Sequence, residues 1–194
     1  LEHRDGHYIV QDWMGNITEI SDTYDVTYLR NPRDFVTRKW HRFPVENRRD
    51  FAEMKKRYNP NDPLRRLSSA EDPPRLCPGQ DPFIWLQFSG VFWQLREWCG
   101  FEPLCRLLVD DPEFVQEMAD FWMHFVLAVM DRALATTAID GLHISEDMAY
   151  KEKSMISPAM TRKVLLPAWS AWIDRAKQAG IKIFDMDSDG CIDE

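Results

Sequence analysis

The chain is short of cysteine, and what it has is not arranged for metal or redox chemistry. It contains 4 cysteines in 194 residues, Cys77, Cys99, Cys105 and Cys191, and no two form a CxxC pair. Zinc ribbons, thioredoxin-like centres and a disulfide framework are thereby excluded, and a cytoplasmic protein with free thiols is expected. Positive charge is also lacking: 24 Lys and Arg stand against 32 Asp and Glu, a net charge of −8. Phosphate backbones need a basic patch, so nucleic acid is excluded as a partner, and the acidic balance chiefly implies solubility. No apolar run is long enough to span a bilayer, and the first residues carry no apolar segment of the secretory kind. No membrane partner is expected. Internal repeats and low-complexity segments are missing as well. The sequence opens at Leu1 and stops just after a predicted strand, so it reads as a piece of a longer chain.

What is present suits a packed globular fold. Apolar residues make up 44%, aromatics 12%, and there are 8 tryptophans, too many for a disordered chain. His7–Trp13 and Ile17–Ile20 flank Met14-Gly15-Asn16 and predict a β-hairpin. A further extended piece is expected between Asp34 and Val45. Asn47 can cap a helix reaching Tyr58, with Phe51, Met54 and Tyr58 on one face. From Asn59 to Pro82 the chain is rich in Pro, Asp and Arg, a long connection with one helical turn around Pro63–Leu67.

Beyond that connection the pattern becomes β–α–α–α–β–loop–α–β. Phe83–Phe88 reads as a buried strand. Helices are expected at Val91–Cys99 and Glu102–Val109. Asp111-Pro112-Glu113 is a helix start, and Phe114, Met118, Phe121, Phe125, Val129 and Met130 recur at helical spacing as core. Ile139–Ser145 is a strand. Ser157 caps a helix from Pro158 to Ala179 that Gly180 ends, with a kink at Pro167, and a last strand begins at Ile181. Strand–helix–strand units of this kind make a parallel sheet. One strand face carries Leu86, Phe88, Leu142, Ile144, Phe184 and Met186, for packing under helices. The other carries Trp85, Gln87, Ser89, Gly141, His143, Ser145, Ile183, Asp185 and Asp187. A parallel strand covered on both faces should be apolar throughout, so this polar row implies a barrel mouth that binds something polar.

Chemistry gathers at strand ends in such sheets. Asp187 and Asp189, two apart, can converge on a metal or share acid–base work. Asp187-Ser188-Asp189-Gly190 is also ordinary turn chemistry, and both readings stay open. Glu146 and Asp147, followed by Tyr150, Lys151 and Lys153, open the loop after the middle strand, where they can orient a substrate or form surface ion pairs. His143 between apolar neighbours is more often a satisfied core residue than a ligand. Trp93 and Arg96 follow the first strand of the trio; Arg96 can clamp a carboxylate or pair with a neighbouring acid.

Glu146-Asp147-Met148-Ala149-Tyr150, Met155-Ile156-Ser157-Pro158, Leu165-Leu166-Pro167 and Asp187-Ser188-Asp189-Gly190, taken together, resemble the uroporphyrinogen decarboxylase superfamily, which also contains cobalamin- and corrinoid-dependent methyltransferases. Phe88-Ser89-Gly90 and Asp110-Asp111-Pro112 resemble an earlier part of the same fold. The resemblance covers residues 80–194 well and 1–79 loosely. It implies an α/β chain that is a fragment of a (β/α)8 barrel, with 1–79 as an N-terminal part or insertion and 80–194 as central β/α units. A full barrel takes about 250 residues, so the chain would hold about three to four of the eight strands. The implied site is Asp147, Asp187 and Asp189 as acid–base groups, with Gln87, Trp93, Arg96, His143, Glu146, Tyr150 and Lys151 around the substrate. In the methyltransferase branch a His-x-Cys-Gly motif binds zinc where this chain has Asp187-Ser188-Asp189-Gly190, leaving Asp187 and Asp189 as oxygen ligands. The implied substrate is a carboxylate-bearing tetrapyrrole or a methyl group carried on a corrinoid protein. The sequence leans towards a divergent methyltransferase-like branch with zinc and a corrinoid, against authentic decarboxylation or a non-catalytic tetrapyrrole-binding barrel. A homodimer stays open.

Overall fold

The computed structural model describes residues 2–23, 38–63, 65 and 82–192. The first four residues of the expected extended piece, most of the long connection with most of its expected helical turn, and Cys77 lie outside them.

The N-terminal strands β1 (Glu2–Arg4), β2 (His7–Gln11), β3 (Ile17–Ser21) and β4 (Lys39–Arg42) form an antiparallel sheet in that order. The β2–β3 turn is built by Asp12. Its Oδ1 accepts the backbone N–H groups of Met14, Gly15 and Asn16, each at 2.9 Å. This is why Asp-x-x-Gly-Asn turns so tightly.

Helix α1 (Arg48–Lys55) starts at Asn47, whose side chain accepts from Arg49 and Asp50. Phe51, which it buries, and Tyr58 just beyond it meet Trp98, Phe121, Trp122 and Phe125 in tilted and edge-on ring contacts at 5.2–6.1 Å. Edge-to-face geometry adds about 0.5–1.5 kcal/mol per pair to the area buried, and it fixes how the N-terminal segment seats on the helices that follow.

The second sheet is parallel: β5 (Trp85–Ser89), β6 (Gly141–Ser145) and β7 (Ile183–Asp187) stand in sequence order. Between β5 and β6 run α2 (Val91–Cys99), α3 (Phe101–Asp110) and α4 (Pro112–Thr136). Asp111 caps α4 by accepting from Phe114, as the Asp-Pro-Glu signature predicts. The register sets Leu86, Leu142 and Phe184 side by side, then Gln87, His143 and Asp185, then Phe88, Ile144 and Met186. The two apolar rows face the helices at β5 and β6, where Leu142 and Ile144 are buried and Phe88 packs edge-on against Trp172, but Met186 on β7, expected to pack there too, is exposed.

Two further expectations need correction. Among the described residues the strand at β5 is covered on one face only: Trp85 is 45% exposed and Gln87 is exposed. The helix from Pro158 is not continuous. It comprises α5 (Pro158–Met160), a π-helical turn (Thr161–Leu165) and α6 (Leu166–Gln178). Pro167 has no N–H to give, and the turn just before it widens so that Leu166 N–H bonds Thr161 C=O.

The chain is mixed α/β, and the described residues form no closed barrel. None of their helices is long and apolar enough to cross a membrane. Cys99, Cys105 and Cys191 are free thiols. Cys99 is buried with its sulfur 3.7 Å from Met118 Sδ, and burial pushes the thiol up to about 12. Iodoacetamide at pH 8 is therefore expected to leave Cys99 unmodified in the native protein and to alkylate it after denaturation, read by peptide mass spectrometry.

Candidate functional site

The loops after β6 and β7 run alongside one another and are stitched together at four points. Glu146 N–H donates to Asp187 C=O at 3.1 Å, and Met148 N–H to Ser188 Oγ at 3.1 Å. Asp189 N–H donates to Asp147 Oδ1 at 3.3 Å, and Cys191 N–H to Tyr150 C=O at 3.0 Å. Gly190 sits at φ +126°, and a Cβ there would lie 2.4 Å from the Tyr150 carbonyl oxygen. Glycine is required by both the dihedral and the close approach. The turn chemistry of Asp-Ser-Asp-Gly thus builds the rim.

Glu146 and Asp147 diverge. Glu146 turns inward and is fully buried. Its oxygens accept N–H groups from Val91 (2.9 Å), Phe92 (2.6 Å) and Trp93 (3.3 Å), and the indole N–H of Trp169 (2.6 Å). The N-cap of α2 is Gly90, which has no side chain with which to cap. A carboxylate from the next strand supplies the missing acceptor at the positive end of the helix. Gly90 is obligatory in turn, since a Cβ would lie 2.1 Å from Glu146 Oε2. Burial pushes the Glu146 carboxyl up to about 7, against the four donors that pull it down. Every polar contact of this carboxylate is internal.

Asp147 stays at the rim. Its Oδ2 accepts from Arg96 at 3.1 Å, and the Arg96 guanidinium lies 4.2 Å from the centre of the Trp93 ring. Of the two readings of Arg96, pairing with a neighbouring acid is the one observed. Tyr150 and Lys151 are exposed on the following loop.

The uncovered sheet face forms the second part of the site. His143 Nδ1 lies 2.7 Å from Asp185 Oδ2, and Nε2 lies 3.6 Å from Asp187 Oδ1. A carboxylate is an acceptor only, so the short contact places a proton on Nδ1 and leaves Nε2 to accept from a ligand, or to donate to Asp187 when the ring carries both protons. Gln87 is His143's neighbour in register on β5, and the Trp85 ring stands edge-on at 6.3 Å. The face is graded along the strands: Trp85 and Ile183 at one end, then Gln87, His143 and Asp185, then Ser89, Ser145 and Asp187.

The structure therefore joins His143 to Asp187, and Arg96 to Asp147. Asp189 reaches the site through its backbone N–H, and its side chain is exposed. Among the described residues no group of three or more His, Cys, Asp or Glu is placed to hold a metal. Asp187 and Asp189 alone do not fit a zinc centre, which takes three or four protein ligands. Sequence reasoning set Asp185 on the polar face yet passed over its pairing with His143. The assembled sheet sets both as third residues of their strands, a register that only the β6–β7 pairing fixes. It also missed that Glu146 caps α2, because the capping carboxylate lies 55 residues from the Val91 N–H it accepts.

No family model, curated protein or solved structure matches the chain.

Proposed function

We propose that the chain is the central part of a (β/α)8-barrel enzyme of the uroporphyrinogen decarboxylase superfamily, and that the bare face of β5–β7 is one inner wall of its active-site cleft. The supporting observation is that face itself. Three parallel strands in sequence order carry helices on one side and a graded, polar-ended surface on the other, which is the layout of a barrel arc seen from inside.

The substrate class that suits this wall is a carboxylate-bearing tetrapyrrole. Asp185 and Asp187 offer hydrogen-bond acceptors for pyrrole N–H groups, and Trp85 a flat apolar surface below them. His143, held by Asp185, is the proton carrier, giving or taking a proton at Nε2. Trp93, with Arg96 stacked on it and tied to Asp147, walls the rim. Because the aspartates do not fit zinc, no step runs through a metal, and proton chemistry on a tetrapyrrole is favoured over zinc-activated methyl transfer from a corrinoid protein.

The test is to incubate the full-length protein anaerobically with uroporphyrinogen and follow carboxylate loss by chromatography, with uroporphyrin binding read from tryptophan quenching. Both loss of carboxylates and saturable binding are expected. Binding without turnover would make the chain a tetrapyrrole-binding barrel, and absence of both would overturn the reading.

A further inference from the structure

A cavity lies among the tip of the β2–β3 hairpin, the end of α1, and helices α2 and α4, and it is bordered by Ser89 at the end of β5 and by Trp93. Its volume is about 550 Å³, within the range that takes a small organic ligand. Trp13, Trp93 and Tyr58 are among its aromatic walls, and Trp13 is 67% exposed at its edge.

Donors in this cavity are supplied by Arg57, Arg65 and Tyr58, beside Ser89, Gln94 and Glu97. Arg57 gives its N–H groups to the backbone carbonyls of Met14 (2.8 Å) and Trp13 (3.0 Å). Arg65 gives Nε–H to the Asn59 carbonyl at 3.3 Å and lies 4.8 Å from the centre of the Phe125 ring. Among the described residues no carboxylate pairs with either guanidinium. The Tyr58 hydroxyl accepts from Trp98 Nε1 at 2.8 Å, and among the described residues its own proton has no acceptor. Both guanidinium charges act on that hydroxyl. The one acid in the wall is Glu97, half-buried and without a hydrogen bond or ion pair among the described residues. Burial raises its pKa.

We infer that this cavity is a binding site for a planar aromatic carboxylate, whose ring lies between the Trp13 and Trp93 walls and whose charge meets Arg57, Arg65 and the Tyr58 hydroxyl. Two guanidiniums and a hydroxyl donor that meet no acid among the described residues call for an anion, and the flat indoles call for a ring. The inference does not depend on the barrel or on tetrapyrrole chemistry.

The experiment is isothermal titration of the chain with 2-naphthoate, and in parallel with protonated 2-naphthylmethylamine, which has nearly the same shape and the opposite charge. The anion is expected to bind saturably at a single site and the cation at least tenfold more weakly. Arg65→Gln and Tyr58→Phe are each expected to weaken naphthoate binding about tenfold while near-ultraviolet circular dichroism stays unchanged. Equal binding of the two probes, no saturable naphthoate binding up to millimolar concentration, or unaltered affinity in both variants would overturn the site. The charge-reversed probe acts on the wild-type chain, so that arm stands even if a variant fails to fold.

Discussion

Glu146→Ala is expected to destabilise the protein by about 3–4 kcal/mol, read as a lower denaturant midpoint at unchanged slope. The change removes the acceptor for three backbone N–H groups of α2 and for the Trp169 indole, all at a site with no solvent exposure. Each buried donor left unpaired costs about 1–3 kcal/mol, and a water entering the space of the lost side chain recovers part of the sum. Glu146→Gln keeps the shape but turns an amide N–H2 towards donors, so an intermediate loss is expected. The two variants also differ from wild type in pH response. The folded carboxyl stands at about 7 against an ordinary value of 4.5, so the folded state holds a proton that the unfolded state has released. Its contribution is fully present below about pH 4.5 and is lost as pH rises through about 7, on the order of 3 kcal/mol in all. Glu146→Gln should flatten that part of the stability–pH curve. A curve of unchanged slope in the variant would show that some other group sets it.

The same residue shows how far the sequence could be read. Helix caps were legible where the capping residue is local: Asn47 on α1, Asp111 on α4, Ser157 on α5. Each bonds an N–H two or three positions on, so the signal lies within one turn of chain. Glu146 does the same for α2 from more than 50 residues away, and nothing near Gly90 announces it. Strand faces were legible because alternation is strict. Leu142 and Ile144 went inward and Gln87, Asp185 and Asp187 outward, as their spacing requires. Pairings across the sheet were not, because they depend on register, which only the assembled β5–β6–β7 order fixes. His143 therefore read as a lone histidine while its partner Asp185 sat 42 residues away. The π-helical turn before Pro167 lay between the two cases: proline announced a disturbance, but only the packed helix shows that the chain widens rather than bends away. The β5 strand read as buried because Phe83-Ile84-Trp85-Leu86 is apolar on both faces. Its outer face is bare among the described residues, and the apolar Trp85 there is what the barrel proposal explains.

If the bare face is the cleft wall, the largest loss of activity falls on His143 rather than on the aspartate pair that stands out in the sequence. His143→Ala is expected to lower turnover of the tetrapyrrole substrate by about 10²- to 10⁴-fold, the span removed when a positioned acid–base group is lost. Asp185→Asn keeps the contact at Nδ1 but offers an amide in place of a carboxylate, so the imidazolium loses its counter-charge and the imidazole its fixed tautomer. A smaller loss is expected, falling on kcat with KM little changed, a split that a purely structural role for Asp185 would not produce. Asp187→Asn weakens the acceptor row facing the substrate and should act mainly on KM. Asp189→Asn is the internal control. Its tie to Asp147 runs through the backbone N–H, which the substitution retains, so turnover should stay within a few fold of wild type. A large loss in Asp189→Asn with little change in His143→Ala would move the chemistry from the sheet face to the loop after β7, and with it the acid–base roles from the His143–Asp185 pair to the aspartates of the rim.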